Sequence, residues 1–233
     1  MKINFSAIIL SAGFGKRMMP LTKELPKPLI EINGITLLEN SINFLKELGC
    51  NQIIINTHYK HFKIQKLLNK IKENNNITLV YEKKILDTGG GVKNAISYFK
   101  NDNFLIVNSD IFWKKENQID VKKLINSYVK LKKPHVLIVE KNKTYGIDKE
   151  TGDFTLHGNK ISRFKKGEKV FFYSGLQVMS IDIFDNFHKK KFSFNEVWDY
   201  LIDTNNLYGD TMNSNWFHVG DIEGLNIAKE FDS

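Results

Sequence analysis

The N-terminal stretch 7–29 combines glycines with cations in a way that suits the holding of a phosphate. It has the sequence AIILSAGFGKRMMPLTKELPKPL, in which Gly13, Gly15, Lys16 and Arg17 directly follow an apolar run. Glycine backbone N–H groups can approach phosphate oxygens closely, and neighbouring cations neutralise their charge. We therefore expect an anion-binding loop at the end of a first strand.

Neither of the two common nucleotide-binding motifs fits this loop. The dinucleotide fingerprint requires a third glycine at position 18, where this chain has Met18, and the P-loop requires Gly-Lys-Ser/Thr after four intervening residues. The missing glycine argues against a Rossmann-type dehydrogenase. The loop therefore indicates phosphate binding of another kind.

Two further segments follow apolar runs and carry groups suited to ligand binding. The segment 86–95, LDTGGGVKNA, has three consecutive glycines, which permit either a tight turn before a helix or close approach to a flat ligand. The segment 107–113, VNSDIFW, ends a very apolar run at Asp110. A carboxylate there is suited to a hard divalent cation, although an N-cap or turn aspartate is the plainer alternative.

Strand-like and helix-like segments alternate along the first 140 residues and must position these groups. Apolar runs predict strands at 7–12, 51–57, 77–82, 104–110 and 134–140, and helical periodicity predicts helices at 36–49, 62–74, 91–100 and 119–131. Such alternation predicts an α/β fold, a Rossmann-like doubly wound and mainly parallel sheet with helices on both faces. Short alternating pieces after residue 142, including 170–180, predict antiparallel hairpins added at the sheet edge, and two more helices follow. We expect a single domain over residues 1–233, with ligands at the carboxyl ends of the strands.

Composition excludes several other classes of protein. The formal net charge is +8, but the lysines are spread along the chain and not concentrated on one element, so we expect no nucleic-acid partner. No apolar run approaches the roughly 18 residues of a membrane span, and the N-terminus lacks the basic region of a signal peptide. We therefore expect a cytoplasmic protein without a membrane partner. The single cysteine, Cys50, excludes an internal disulfide.

Taken together, the segments SAGFGKRMMPLTKELPKPL, DTGGG, VNSD and WFHVG resemble the sugar-phosphate nucleotidyltransferases in order and approximate spacing. The resemblance runs from about residue 5 to residue 231, and it is strongest to the short, single-domain N-acetylmuramic acid 1-phosphate uridylyltransferases. It implies the nucleotide-diphospho-sugar transferase fold and the partners UTP and N-acetylmuramic acid 1-phosphate. A sugar 1-phosphate oxygen would attack the α-phosphorus, and pyrophosphate would leave, in a step serving peptidoglycan sugar recycling.

The resemblance also assigns roles to individual residues. The catalytic residues would be Arg17 on the β- and γ-phosphates, Lys27 on the α-phosphate and sugar phosphate, and Asp110 on the metal. The flanking prolines of Lys27 would stiffen its loop. The nucleotide would be bound by Leu10, Ala12, Gly13, Gly15, Asp87, Thr88 and Gly89. The sugar would be bound by Asn108, Asp153, Ser174, Gly175 and Asn195, with Gly152 nearby and Trp198 on the helix face of Asn195.

The chain departs from the family at the expected second metal ligand. The family carries an aspartate in a Trp-x-Asp-Val-Gly segment, and this chain has His218 at that position. We expect Asp110 and His218 to hold Mg²⁺. Mn²⁺ is an alternative, because imidazole suits manganese better than magnesium. Asp221 is an alternative ligand, or the N-cap of the last helix. His58 and His61 invite a zinc hypothesis, but no further ligand lies at a suitable spacing.

Three alternatives remain open at this stage. Another hexose or heptose 1-phosphate, such as mannose 1-phosphate, or GTP in place of UTP, would use the same motifs. A non-catalytic protein that binds nucleotide or sugar would explain the loss of the second aspartate. Oligomeric state is not predicted.

Overall fold

The computed structural model describes residues 5–71 and 76–231 as an α/β fold. The strands in chain order are β1 (Ser6–Ser11), β2 (Glu31–Ile32), β3 (Ile35–Thr36), β4 (Gln52–Thr57), β5 (Ile77–Tyr81), β6 (Asn103–Asn108), β7 (Ile111–Phe112), β8 (His135–Glu140), β9 (Thr144–Tyr145), β10 (Phe154–His157), β11 (Lys160–Arg163), β12 (Phe171–Ser180), β13 (Tyr208–Met212) and β14 (Trp216–His218). The helices are α1 (Leu37–Leu48), α2 (His61–Leu68), α3 (Asp87–Ala95), α4 (Asn117–Leu131), α5 (Phe194–Asp203) and α6 (Ile222–Phe231).

One large sheet organises the described residues, with the order β10-β11-β13-β8-β12-β6-β1-β4-β5. Strands β6, β1, β4 and β5 are parallel neighbours, and β13 is parallel to β8. Two smaller sheets accompany it, one of β2 and β3 and one of β7, β14 and β9. The predicted fold class is confirmed, and the carboxyl ends of β1, β4 and β6 meet at one edge as expected.

Both faces of the central strands are apolar, because helices cover both sides. In β1, Ala7 and Ile9 belong to one buried cluster with residues of α1 and α4, whereas Ile8 belongs to the opposite cluster with residues of α3 and α5. Burial on both faces explains the continuous apolar runs. Successive side chains of a strand point to opposite faces of the sheet, and here both faces are apolar. No described helix has the length and apolarity that would be needed to cross a membrane.

Local signals in the sequence explain where helix α1 begins and ends. The Thr36 hydroxyl accepts from the Glu39 N–H, and the Glu39 carboxylate accepts from the Thr36 N–H, which is a capping box. Gly49 ends the helix in the left-handed conformation at φ 91°. The predicted limits of this helix are therefore met within one residue.

Three expectations about elements are wrong. The segment 170–180 forms β12, which is not an edge hairpin but an antiparallel strand inserted between β6 and β8, while β10 and β11 do form a hairpin at the edge. The three glycines lie inside α3 and not before it. Helix α2 ends at Leu68, and residues 72–74 of the predicted helix lie outside the described residues.

Candidate active site

A cavity of about 380 Å³ opens at the carboxyl ends of β1, β4 and β6, beside the start of α3. Ten of the residues predicted for catalysis or binding line it. These are Leu10, Ala12, Gly13, Gly15, Arg17, Lys27, Asp87, Thr88, Asn108 and Asp110. The structure thus brings the three separate sequence segments to one place.

The loop after β1, residues 12–17, is held by its own backbone geometry; we call it the glycine loop. Gly15 has φ 64°, and a Cβ there would lie 2.9 Å from Thr22 Cγ2 and 3.1 Å from Lys27 Cβ. The Thr22 hydroxyl donates to the Gly15 carbonyl at 2.9 Å. Gly15 therefore permits both the left-handed turn and the close approach of Lys27. Arg17 follows in a short 3₁₀ turn, where it is exposed along the cavity wall.

The Pro-Lys-Pro segment presents Lys27 to the carboxylate of Asp110. Pro26 is extended, and Lys27 begins a 3₁₀ turn in which it is buried. Its ammonium donates to Asp110 Oδ2 at 2.9 Å and to the Gly220 carbonyl at 3.5 Å. Burial alone raises the pKa of Asp110, but the Lys27 ammonium and the His218 ring outweigh it and hold that pKa well below its usual range. Asp110 is therefore an anion at neutral pH.

The small sheet brings His218 to the same carboxylate. Strand β7 begins directly after Asp110, and its Ile111 pairs with His218 of β14. His218 Nε2 lies 3.6 Å from Asp110 Oδ2, while Nδ1 lies 3.3 Å from the Gly146 carbonyl. Asp221 acts as the N-cap of the last helix, the alternative to a metal ligand. Its carboxylate accepts from the Gly224 N–H at 3.0 Å at the start of α6.

The donors around Asp110 fit a divalent cation that is shared with a substrate. Asp110 Oδ1 is buried and has no hydrogen-bond partner among the described residues. No group of three or more His, Cys, Asp or Glu side chains suited to a metal occurs in residues 5–71 and 76–231. Mg²⁺ is commonly held by one or two carboxylates plus substrate phosphates, so a two-residue protein contribution is consistent with it.

A buried polar chain, which the sequence reasoning missed, connects the cavity walls. Ser11 N–H donates to Asn56 Oδ1 at 2.8 Å, and Asn56 Nδ2 donates to Glu82 Oε1 at 2.7 Å. Glu82 Oε2 accepts from the Leu86 N–H at 3.1 Å. A Cβ on Gly91 would lie 2.7 Å from Asn56 Nδ2 and 2.9 Å from Glu82 Oε1, so α3 can cross this chain only with a glycine. Burial raises the pKa of Glu82, and its hydrogen bonds partly offset this.

The position of Asn56 and Glu82 offered a signal that could have identified them. Asn56 lies near the carboxyl end of β4 and lines the cavity, and Glu82 directly follows β5. Both are buried polar residues at strand ends, which is where ligand sites occur in such sheets.

A second set of missed residues secures the chain between the glycine loop and Lys27. The Tyr59 hydroxyl donates to the carbonyl of Thr22, Lys60 Nζ donates to that of Lys23, and Lys63 Nζ donates to that of Glu24. These side chains come from the segment between β4 and α2 and the first turn of that helix.

The predicted sugar-binding residues other than Asn108 lie outside the lining of this cavity. Asp153 Oδ2 accepts from the Tyr173 N–H at 2.9 Å, and Ser174 is fully buried with its carbonyl accepting from Trp216 Nε1. Gly175 lies against Asn108. Asn195 is exposed on α5.

Gly89 and Trp198 are used in packing. Gly89 is buried against the ring of Phe192, which leaves no room for a Cβ. Trp198 is buried, and its Nε1 donates to Gln177 Oε1 at 2.7 Å. The core-packing alternative for Trp198 is what the structure has.

Comparison with known proteins gives the family. The family model described as "Nucleotidyl transferase" matches residues 6–233. The chain belongs to the nucleotidyl transferase family. The membership predicted from the motifs is thereby confirmed.

Individual relatives match over most of this chain. An N-acetylmuramate alpha-1-phosphate uridylyltransferase of Caulobacter vibrioides is 24% identical, over 92% of this chain and 91% of that protein. A D-glycero-alpha-D-manno-heptose 1-phosphate guanylyltransferase of Campylobacter jejuni is 30% identical, over 82% of this chain and 83% of that protein. The crystal structure of HddC from Yersinia pseudotuberculosis complexed with GMP-PN has a TM-score of 0.76 and 25% identity, and covers 98% of this chain and 100% of that one.

Proposed function

We propose that this sugar 1-phosphate nucleotidyltransferase joins UMP from UTP to N-acetylmuramic acid 1-phosphate and releases pyrophosphate. The observation that carries the transferase activity is the meeting of Lys27 and Asp110, 2.9 Å apart, in the cavity lined by the glycine loop. The relative of Caulobacter vibrioides supports this choice of base and sugar. The proposal includes one domain over residues 1–233, a cytoplasmic location and a place in peptidoglycan sugar recycling.

Binding of the nucleotide is assigned to the glycine loop and the start of α3. In this proposal, the backbone of Ala12, Gly13 and Gly15 lies along the nucleotide. Asp87 and Thr88 contact the nucleotide from the opposite wall of the cavity. The exposed side chain of Arg17 neutralises the β- and γ-phosphates. Backbone N–H groups suit this task, because they need little reorganisation as pyrophosphate leaves.

Lys27 is assigned to the reacting phosphates. Its Nζ is held by Asp110 and the Gly220 carbonyl, so its position is set before substrates bind. Nucleotidyl transfer requires alignment of the sugar phosphate oxygen with the α-phosphorus more than it requires covalent help from the protein. A buried ammonium beside that path orients both anions and offsets their repulsion.

Asp110 and His218 are assigned to a divalent cation, Mg²⁺ or Mn²⁺. The unpartnered Oδ1 of Asp110 and the nearness of His218 Nε2 to Oδ2 support this. When bound, the cation supplies further charge neutralisation at the phosphates. Nδ1 of His218 faces the Gly146 carbonyl, and a proton on Nδ1 leaves Nε2 free to act as a ligand.

A guanylyltransferase acting on a heptose or hexose 1-phosphate is the second candidate. The Campylobacter relative and the HddC complex with GMP-PN favour it. Both candidate functions use the glycine loop and the start of α3 to bind the nucleotide. The choice between uracil and guanine depends on contacts around these two elements.

The test is pyrophosphate release from the purified protein. UTP and GTP are each combined with N-acetylmuramic acid 1-phosphate, mannose 1-phosphate and a heptose 1-phosphate, in Mg²⁺ and again in Mn²⁺. Release with UTP and the muramic sugar supports the proposal, and release with GTP and a heptose or hexose supports the second candidate. Nucleotide binding without release under any condition would indicate a non-catalytic binding protein.

A further inference from the structure

The segment 58–63 runs from the end of β4 into the first turn of α2 and contacts the chain on both sides of the cavity. Strand β4 lies between β1 and β5, so the chain that leaves β4 is flanked by the loops that leave those two strands. On one side, His58 Nδ1 donates to the Glu82 carbonyl at 2.8 Å. On the other side, the Phe14 ring of the glycine loop packs against His58 and Tyr59, at 5.6 and 5.7 Å between ring centroids.

Three side chains of this segment donate to three consecutive carbonyls between the glycine loop and Lys27. The donor and acceptor pairs are Tyr59 and Thr22, Lys60 and Lys23, and Lys63 and Glu24. These carbonyls lie at the end of a 3₁₀ turn, where the last carbonyls have no partner within the turn itself. Lys60 reaches its acceptor from a left-handed backbone, φ 49°, which a residue with a Cβ adopts at some cost in free energy. The contacts of the segment outweigh that cost.

The contact made by Tyr59 continues through Thr22 to the backbone that lines the cavity. The Thr22 carbonyl accepts from the Tyr59 hydroxyl at 3.0 Å, and the Thr22 hydroxyl donates to the Gly15 carbonyl at 2.9 Å. Thr22 is only 1% exposed, and its Cγ2 would lie 2.9 Å from a Cβ on Gly15, so it packs directly on this glycine. A displacement of Thr22 would therefore displace Gly15.

We propose that Tyr59 is a positioning residue that holds the glycine loop in its binding conformation before the nucleoside triphosphate arrives, a role that rests on the proposed function. Among the described residues, Tyr59 is outside the set that lines the cavity, so it acts through Thr22 and Phe14. Backbone N–H groups bind a phosphate best when they are already in place, because ordering a loop on binding costs conformational entropy. Without this contact, a smaller fraction of the free protein has the competent loop, and the apparent affinity falls in proportion.

The test measures Kd for UTP and for GTP by calorimetry in two variants of Tyr59. Tyr59→Phe keeps the ring against Phe14 and removes the hydroxyl, and Kd for the accepted nucleotide should rise about two- to five-fold. Tyr59→Ala removes the ring as well, and Kd should rise at least about ten-fold, with KM for the sugar 1-phosphate unchanged in both variants. In the matched control Tyr128→Phe, the lost hydroxyl donates to Asn103 at the start of β6, the end away from the cavity. This control should lower the thermal midpoint and leave Kd for the nucleotide unchanged.

Trypsin cleavage of the folded protein reports the position of the loop independently of substrates. Lys16, Arg17 and Lys23 are exposed, whereas Lys27 is buried and precedes a proline. Cleavage at the three exposed sites should be about five-fold faster in Tyr59→Phe, cleavage elsewhere should be unchanged, and excess nucleotide should restore the wild-type rate. A general loss of stability would instead speed cleavage at sites throughout the chain.

The remaining outcomes separate this role from the proposed function. Wild-type nucleotide affinity in a folded Tyr59→Ala protein, an equal loss of affinity for both substrates, or unchanged cleavage of the loop would overturn the positioning role. Absence of turnover with every sugar, while the nucleotide still binds, refutes the proposed function and leaves the effect on Kd to decide the role of Tyr59. A wild-type protein that binds neither UTP nor GTP refutes both.

Discussion

Substitution of Glu82 by glutamine tests whether the buried polar chain holds the nucleotide side of the cavity. Glu82 is 2% exposed, and its two carboxylate oxygens accept from Asn56 Nδ2 and the Leu86 N–H. Glutamine has nearly the same shape but only one acceptor oxygen. One of the two N–H groups would then face the amide NH₂ of glutamine and lose its partner.

The loss of stability depends on which of the two hydrogen bonds glutamine keeps. The bond from Asn56 is 2.7 Å and the bond from Leu86 is 3.1 Å, so we expect glutamine to keep the former and lose the latter. A buried donor left without an acceptor costs about 1–3 kcal/mol of the free energy of unfolding. Removal of the buried charge offsets part of this, because burial already disfavours the ionised form of Glu82.

The kinetic effect should fall on the nucleotide alone. Leu86 precedes Asp87 and Thr88, which line the cavity, so loss of its bond loosens that wall. We expect KM for the nucleoside triphosphate to rise several-fold, by about 1 kcal/mol of binding energy. KM for the sugar 1-phosphate should stay the same, because Leu86 precedes two residues that the proposal assigns to the nucleotide.

Urea unfolding and steady-state kinetics measure the two effects, with Glu150→Gln as the control. Glu150 is exposed, and within residues 5–71 and 76–231 it pairs only with Lys141, so its substitution should leave both the midpoint and the kinetics unchanged. The reasoning is refuted if Glu82→Gln unfolds at the wild-type urea concentration and binds the nucleotide as well as wild type does.

Three further predictions concern single residues. Lys27→Met should lower kcat by about 10²–10³-fold, because the reacting phosphates lose their fixed cation. The thermal midpoint is measured in parallel, and a kcat within two-fold of wild type would contradict the role of Lys27. Gly15→Ala should lose about 1–3 kcal/mol of stability in urea unfolding, since φ 64° and the contact with Thr22 both disfavour a Cβ; equal stability would show that the turn can relax. Cys50 is partly buried, and this burial raises the pKa of its thiol to about 12. The folded protein at pH 8 should therefore react with iodoacetamide far more slowly than the urea-unfolded protein, and equal rates would contradict the raised pKa.

The meeting of the glycine loop, Lys27 and Asp110 at one cavity could be predicted from the sequence, because its signals are local. The glycine loop, the Pro-Lys-Pro segment and Asp110 each follow a strand, and parallel strands bring their carboxyl ends to one edge. The helix limits of α1 were predictable for the same reason, since its capping box and its terminal glycine are short-range features.

The features that sequence patterns did not predict depend on pairing between distant segments. Strand β12 inserts between β6 and β8 through long-range antiparallel ladders, which its own alternating pattern does not specify. Glycine is unfavourable in helix interiors, so three glycines do not predict a helix. In α3 they are required, because Phe192 and the Asn56–Glu82 pair approach the helix too closely for a Cβ. The partner of His218 likewise depends on the register of β14 with β7.

The most direct test of the central claim follows the α-phosphate of the nucleotide during turnover. UTP labelled at the α-phosphorus is incubated with N-acetylmuramic acid 1-phosphate, a divalent cation and the purified protein, and the products are separated. The account predicts that the label appears in the nucleotide-sugar and that unlabelled pyrophosphate is released in equal amount. Label recovered as free UMP, or retained in UTP while a labelled GTP control is consumed, would contradict the proposed transfer.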